Sequence, residues 1–268
     1  MRRNPAGLRS VVALTVLLVS QCGALAGPVD ATYSITLAGL TIGKASLAGV
    51  VDSGSYKINI SAGLTGLAGA VAGGSGSGTA QGAIGGPGVL SNGFAVTASN
   101  GKLTRTISIG ASAGSVRGVS IDPPLELPME GRVPLRPQHQ VGILDPISAL
   151  IMPVRGTDPF DKANCERRLP VFDGTQRFDI QLSYVGLRNV KSDTGYSGPV
   201  LVCAARYVPI AGHRPDRRAI KFMVENRNID TWLAPVNGGR VLMPYRISVR
   251  TMIGNSVIEA RSFNSTGP

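Results

Sequence analysis

Four groups of residues in this chain are of types and spacings that could do chemistry. The stretch Val171 to Gly186, VFDGTQRFDIQLSYVG, holds Asp173, Arg177 and Asp179, two carboxylates around a guanidinium, a set able to move a proton or hold an anion. Its context favours a structural reading. Asp173-Gly174 lies between the apolar run Leu169 to Phe172 and an alternating strand, where Asp-Gly supplies the positive φ angles of a type I′ turn. The segment is therefore read as a hairpin, with Asp179 on its wet face beside Arg177, where an ion pair contributes little. The two histidines, His139 and His213, both fall in loops and are read as solvated. Gly195 to Pro199 (GYSGP) fails the Gly-x-Ser-x-Gly nucleophile pattern at its last position, and H-E-x-x-H does not occur. Asp158 and Asp161 flank Pro159 and Phe160 in a turn, which suits capping. No catalytic residue, no metal site and no cofactor is expected, and the chain is read as noncatalytic.

The fourth group is basic. Arg214, Arg217 and Arg218 crowd the loop RPDRR, with Arg206 before it and Lys221 after it, and Arg167-Arg168 lies beside Cys165. Such a surface suits anionic lipid head groups, phosphates or acidic glycans, the alternative being a solvated loop. Of the 27 basic residues 21 are Arg, a skew that codon bias alone can produce. Nucleic acid is not an expected partner, because aromatics are only 5% and none is interleaved in the basic loop.

The elements that would position these residues are mostly strands. The 268 residues are 43% hydrophobic and 16% charged, the balance of a folded protein. Residues 1–26 stand apart as a secretory leader: Arg2, Arg3 and Arg9, then the apolar Val11 to Val19, then Ala24-Leu25-Ala26. Removing those three arginines lowers the formal charge from +11 to +8. A lipoprotein acylated at Cys22 is the rival, disfavoured by Gln21 before it. No later stretch is apolar enough to span a membrane as a helix. The expected location is the periplasm, where Cys165 and Cys203 could form a disulfide closing a loop of about 38 residues, worth ~3–4 kcal/mol. Two unpaired thiols on separate strands are the alternative.

Period-two alternation recurs at Tyr33–Leu37, Tyr56–Ile60, Phe178–Tyr184, Ile220–Val224 and Tyr245–Val249, between turn signals such as Asp52-Ser53-Gly54 and Asn237-Gly238-Gly239. This predicts a mainly β fold of about 11 antiparallel strands in one domain, residues 27–268. Residues 62–93, rich in Gly, Ala and Ser, are read as a mobile loop after a short helix at Leu64, Leu67 and Val71. Residues 122–137, with five prolines, are read as an extended connection. Asp145-Pro146 starts a two-turn apolar helix to Met152.

These segments carry a resemblance. Tyr33-Ser34-Ile35, Ile42-Gly43-Lys44-Ala45, Asp145 to Leu150, Val171 to Asp179, Val202-Cys203, Trp232-Leu233 and Met243-Pro244 resemble, in order, the motifs of the bacterial domain-of-unknown-function family 3108. The resemblance runs from Thr32 to Phe263 and implies an exported protein without an established activity. More weakly, the chain is similar to lipoprotein-carrier-type half-open barrels, in which a curved sheet wraps a hydrophobic helix. The apolar helix with Ile147, Leu150 and Ile151 would plug the sheet, filling the core or leaving a cavity at the mouth. Three functions follow as expectations: a carrier-like protein for an apolar or amphipathic envelope ligand held by Ile147, Leu150, Ile151, Arg206, Arg214, Arg217 and Arg218; an envelope assembly factor with a protein partner; and an enzyme acting on envelope lipid or glycan.

Overall fold

A computed structural model describes residues 27–66, 69, 73–85, 88–125 and 130–265. The leader, and the Leu67 and Val71 positions of the short helix expected after Leu64, lie outside the described residues. The strands are β1 (Gly27–Leu37), β2 (Leu40–Val51), β3 (Ser55–Leu64), β4 (Ser75–Gly85), β5 (Gly88–Ser99), β6 (Thr104–Ser112) and β7 (Ser115–Asp122). After the Pro-rich connection come β8 (Met152–Pro153), β9 (Arg168–Phe172), β10 (Arg177–Lys191), β11 (Thr194–Gly195) and β12 (Ser197–Ala211). Helix α1 (Arg218–Glu225) precedes β13 (Ile229–Val236), β14 (Val241–Thr251) and β15 (Gly254–Ser265).

All fifteen belong to one sheet, ordered β7-β6-β5-β4-β3-β2-β1-β15-β14-β13-β12-β10-β9, with β8 on β14 and β11 on β15. Every ladder is antiparallel except the two-residue β11–β15 pair. A twisted strip of this width curls. Its edges β7 and β9 do not pair. Ile143 and Leu144 fill the gap: Ile143 N donates to Gly114 O at 2.9 Å, Leu144 N to Pro170 O at 2.8 Å, and Phe172 N to Leu144 O at 2.9 Å. The fold is a curved antiparallel sheet, a half-open barrel.

Its interior holds two apolar clusters. The larger gathers Val29, Tyr33, Leu47, Ile58, Phe94, Phe172, Met243 and Phe263 among others. The smaller is built on Leu182, Leu201, Leu233, Leu242 and the disulfide-bonded Cys165 and Cys203, whose Cα atoms lie 5.4 Å apart. The segment Ile143 to Met152 divides them: Ile143, Ile147 and Ile151 belong to the first and Met152 to the second.

That divider is not the two-turn helix expected. Only Ser148–Leu150 is helical, as a single 3-10 turn, and Ile151 is already extended. The Asp145 carboxylate explains the start, accepting from Ile147 N at 3.0 Å and Ser148 N at 2.9 Å. What stops the helix is sheet pairing: Met152 and Pro153 lie opposite Leu242 and Val241, and Val154 N donates to Arg240 O at 2.9 Å.

The Gly/Ala/Ser-rich segment is not a mobile loop where it is described; Ser75–Gly85 and Gly88–Ser99 are β4 and β5, in register with β3 and β6. Small residues are required there. A Cβ on Gly78 would stand 2.9 Å from Ile147 Cδ1, and one on Gly82 would stand 2.8 Å from Tyr56 Cε1, so the divider lies directly over β4. The strand expected at Ile220–Val224 is helix α1, begun after the turn in which Arg217 N donates to Arg214 O at 3.1 Å.

The hairpin at Val171 to Gly186 is present as β9 and β10, with two corrections. Its loop has four residues, Asp173 to Gln176, and Asp173 keeps a negative φ while Gly174 stands at +97°, so the turn is not type I′. Asp173 Oδ1 accepts from Thr175 N at 2.8 Å and Gln176 N at 2.7 Å. Asp179 is not on a wet face: it is 1% exposed, held between Arg168 and the buried Arg177, whose Nη1 lies 2.6 Å away.

The loop after β12 locks onto this hairpin at Gly212. Its φ is +80°, a Cβ there would collide with Thr175 O, and its N donates to Val133 O at 2.8 Å. Gly212→Ala is expected to lower stability by about 2–3 kcal/mol, read as a shift in urea midpoint; an unchanged midpoint would mean the loop relaxes freely.

Candidate functional site

The divider leaves a cavity on one side. Pro146, Ala149, Leu150 and Met152 cover it, the sheet supplies Leu169, Val171, Phe178, Ile180, Leu182, Ala205, Tyr207, Ile229, Asp230, Thr231, Pro244, Ile247 and Val249, and Met223 of α1 closes the rim. The volume is about 260 Å³. Strand alternation puts these side chains here: Phe178, Ile180 and Leu182 are two apart on β10, and Ile180 and Leu182 lie opposite Tyr207 and Ala205 of β12. The wall is almost wholly apolar. Asp230 borders it between Ile229 and Thr231, but strand alternation turns its side chain to the opposite face, beside its ladder partners Ala204 and Ser248.

A second space of about 870 Å³ lies on the other side of β9, between that edge strand and the β4–β5 hairpin. Arg155, Arg167 and Arg168 line it together with Val89, Leu90, Ile151, Val154 and Leu169. Arg167 Nη1 and Nη2 each donate to Pro153 O at 3.0 Å, and Nη2 also donates to Asn164 Oδ1 at 3.0 Å. Burial, and Arg155 beside it, pull the Arg167 guanidinium down to about 10.

The expected ligand residues separate. Leu150 lines the apolar cavity, Ile151 borders the arginine cleft, and Ile147 is buried in the main core, 3% exposed. Arg206, Arg214, Arg217 and Arg218 line neither space. Arg214 turns to Asp216, 3.5 Å away, Arg217 precedes α1, and Arg218 opens it. Arg167 and Arg168 meet Arg155, and none of the RPDRR-loop arginines joins them in that space.

The candidate chemical groups are likewise tied into structure. His213 is buried, not solvated, with its pKa lowered by burial. His139 is half-buried, and its Nδ1 accepts from Arg136 N at 3.2 Å. Asp158 and Asp161 cap as expected, on Phe160 N at 2.8 Å and Ala163 N at 2.7 Å. A buried polar group that sequence reasoning passed over joins Tyr56, Ser91, Asp145 and Ser148. Ser91 Oγ donates to Asp145 at 2.6 Å, and Tyr56 Oη lies 2.6 Å from Ser148 Oγ. Burial raises the Tyr56 hydroxyl to about 12, so it stays protonated and serves as an anchor. Arg155 was also missed, since it stands in no motif.

Among the described residues no helix is long and apolar enough to cross a membrane. The model of the family described as "Protein of unknown function (DUF3108)" matches residues 32–261. The chain is also similar to the crystal structure of a beta-barrel-like protein of domain of unknown function DUF1849 from Brucella abortus. That likeness has a TM-score of 0.51 at 12% identity and covers 91% of this chain and 100% of the other. At such identity it speaks for the fold alone. Among curated protein sequences none matches this chain significantly.

Proposed function

For this chain, which belongs to the DUF3108 family of proteins of unknown function, we propose a noncatalytic, carrier-like role, the binding of an apolar or amphipathic ligand in the cell envelope. The apolar cavity carries this reading. A space of about 260 Å³ with an apolar wall exceeds the ~150 Å³ at which an engineered apolar cavity already takes up benzene. It approaches the lower range of small-molecule pockets, about 300 Å³. Export through residues 1–26 to the periplasm is part of the proposal, supported by the leader pattern and by the buried disulfide, which suits an oxidising compartment.

The rival is an assembly factor acting through a protein partner. It is favoured by apolar side chains at one end of the barrel, where Leu40, Met252 and Ile253 are 72%, 54% and 76% exposed. Native mass spectrometry of residues 27–268, exported and purified without detergent, separates the two. The carrier reading expects a bound mass of lipid size that denaturation releases. It also expects Leu150→Trp, which fills the cavity from its covering segment, to keep the melting temperature within about 3 °C and to lose that mass. A bare polypeptide in both proteins would move the weight to the assembly reading.

A further inference from the structure

We propose that the cleft between β9 and the β4–β5 hairpin is a separate binding site for a compact oxyanion on an alkyl chain, a phosphate monoester or a carboxylate. Its charge carries the inference. Three arginines line the cleft, Arg155, Arg167 and Arg168, and among the described residues no carboxylate does. Arg167 and Arg155 take no acidic partner among the described residues; both are held by main-chain carbonyls, Arg155 Nη1 donating to Glu166 O at 2.8 Å. Like charges so placed repel, and an anion between them removes that cost.

The site is built before any ligand arrives. Asn164, fully buried, accepts from Arg155 N at 2.7 Å and from Arg167 Nη2, fixing both arginines to one loop. Cys165, the next residue, ties that loop to β12 through the disulfide. Arg168 is anchored from the other direction by the buried Asp179. Arg167 Nε is buried with no hydrogen-bond partner, a donor left over after the main-chain contacts are counted. Guanidinium groups held by their neighbours lose little entropy on taking an oxyanion, and their paired N–H groups match its geometry.

The rest of the wall states what the anion is attached to. Val89, Leu90, Ile151 and Leu169 are apolar, so a free inorganic anion would leave most of the 870 Å³ unused, whereas an alkyl chain would cover them. The site is distinct from the apolar cavity, and only Leu169 lines both.

The test is calorimetric titration of residues 27–268 with octyl phosphate, octanoate and octanol at neutral pH and low salt. The proposal expects at least one anion to bind at least about tenfold more tightly than octanol, and the preferred anion assigns the head group. Arg155→Gln should weaken that anion by about tenfold or more, and Arg155→Lys should restore part of the loss. Arg167 also holds Pro153 and Asn164 in place, so Arg155, with two main-chain contacts of its own, is the cleaner probe. Leu150→Trp should leave anion binding unchanged. Octanol binding as well as both anions, Arg155→Gln binding like the parent, or loss of anion binding in Leu150→Trp would each overturn the assignment.

Discussion

Asp145→Ala is expected to lower unfolding stability by about 3–5 kcal/mol, a large share of what a chain of this kind possesses. Asp145 is fully buried and accepts from Ile147 N, Ser148 N, Ser148 Oγ and Ser91 Oγ. Alanine would leave those donors in the interior without an acceptor, each costing about 1–3 kcal/mol before relaxation. The damage would reach further than one turn, because Ser148 also holds Tyr56 of β3 and Ser91 belongs to β5. Asp145→Asn is expected to be milder, about 1–2 kcal/mol, since its carbonyl can still cap both main-chain amides while the serine hydroxyls turn to accept. Urea unfolding of the three proteins checks this. Equal losses for Ala and Asn would show that charge, and not the number of acceptors, matters at this position.

Replacing both cysteines, as Cys165→Ala with Cys203→Ala, is expected to cost about 4 kcal/mol. The two are 38 residues apart, and the chain-entropy relation for a loop of that length supplies this figure at room temperature. Both are fully buried beside Leu182, Leu201, Leu233 and Leu242, so removing sulfur also loosens the smaller cluster. Denaturation of the oxidised parent, the reduced parent and the double variant measures it. A double variant as stable as the oxidised parent would mean that the 154–167 loop is held by Asn164 and the aspartate caps alone.

Much of the sheet was legible because its strands have one polar and one apolar face. Tyr33–Leu37, Tyr56–Ile60, Phe178–Tyr184 and Tyr245–Val249 alternate and are strands. β4 was hidden by the same rule. Its small positions, Gly76, Gly78, Ala80 and Gly82, alternate with Ser75, Ser77, Thr79 and Gln81. A Cβ on Gly78 would crowd Ile147 and one on Gly82 would crowd Tyr56, so the face is made small and carries little hydrophobic signal. Alternation of small with polar residues was the available clue. α1 was mistaken for a strand because Ile220, Phe222 and Val224 fit period two over a run too short to discriminate. Asp179 was misplaced because alternation alone puts it on the face opposite Phe178 and Ile180, whereas that face is covered too and holds the carboxylate between Arg168 and Arg177. For the candidate sites, Leu150 was legible as an apolar residue in a covering segment. The meeting of Arg155 with Arg167 and Arg168 was not, because the loop that brings them together is folded by Asn164 and two short aspartate caps.

The order of the strip places its first and last strands side by side at the middle and its two free edges in mid-sequence. β1 and β15 pair through nine register positions, Val29 to Leu37, whereas the β6–β7 turn and the edge strand β9 are joined by three main-chain hydrogen bonds through Ile143 and Leu144. In mechanical terms the molecule is a clasped cuff whose seam is strong and whose clasp is weak. A force that spreads it, whether from a molecule entering or from thermal motion, opens it at the clasp. The arginine cleft lies along that line, with Ile143 and Leu144 in its wall, so the compliant part of the barrel and its most positively charged recess are the same place.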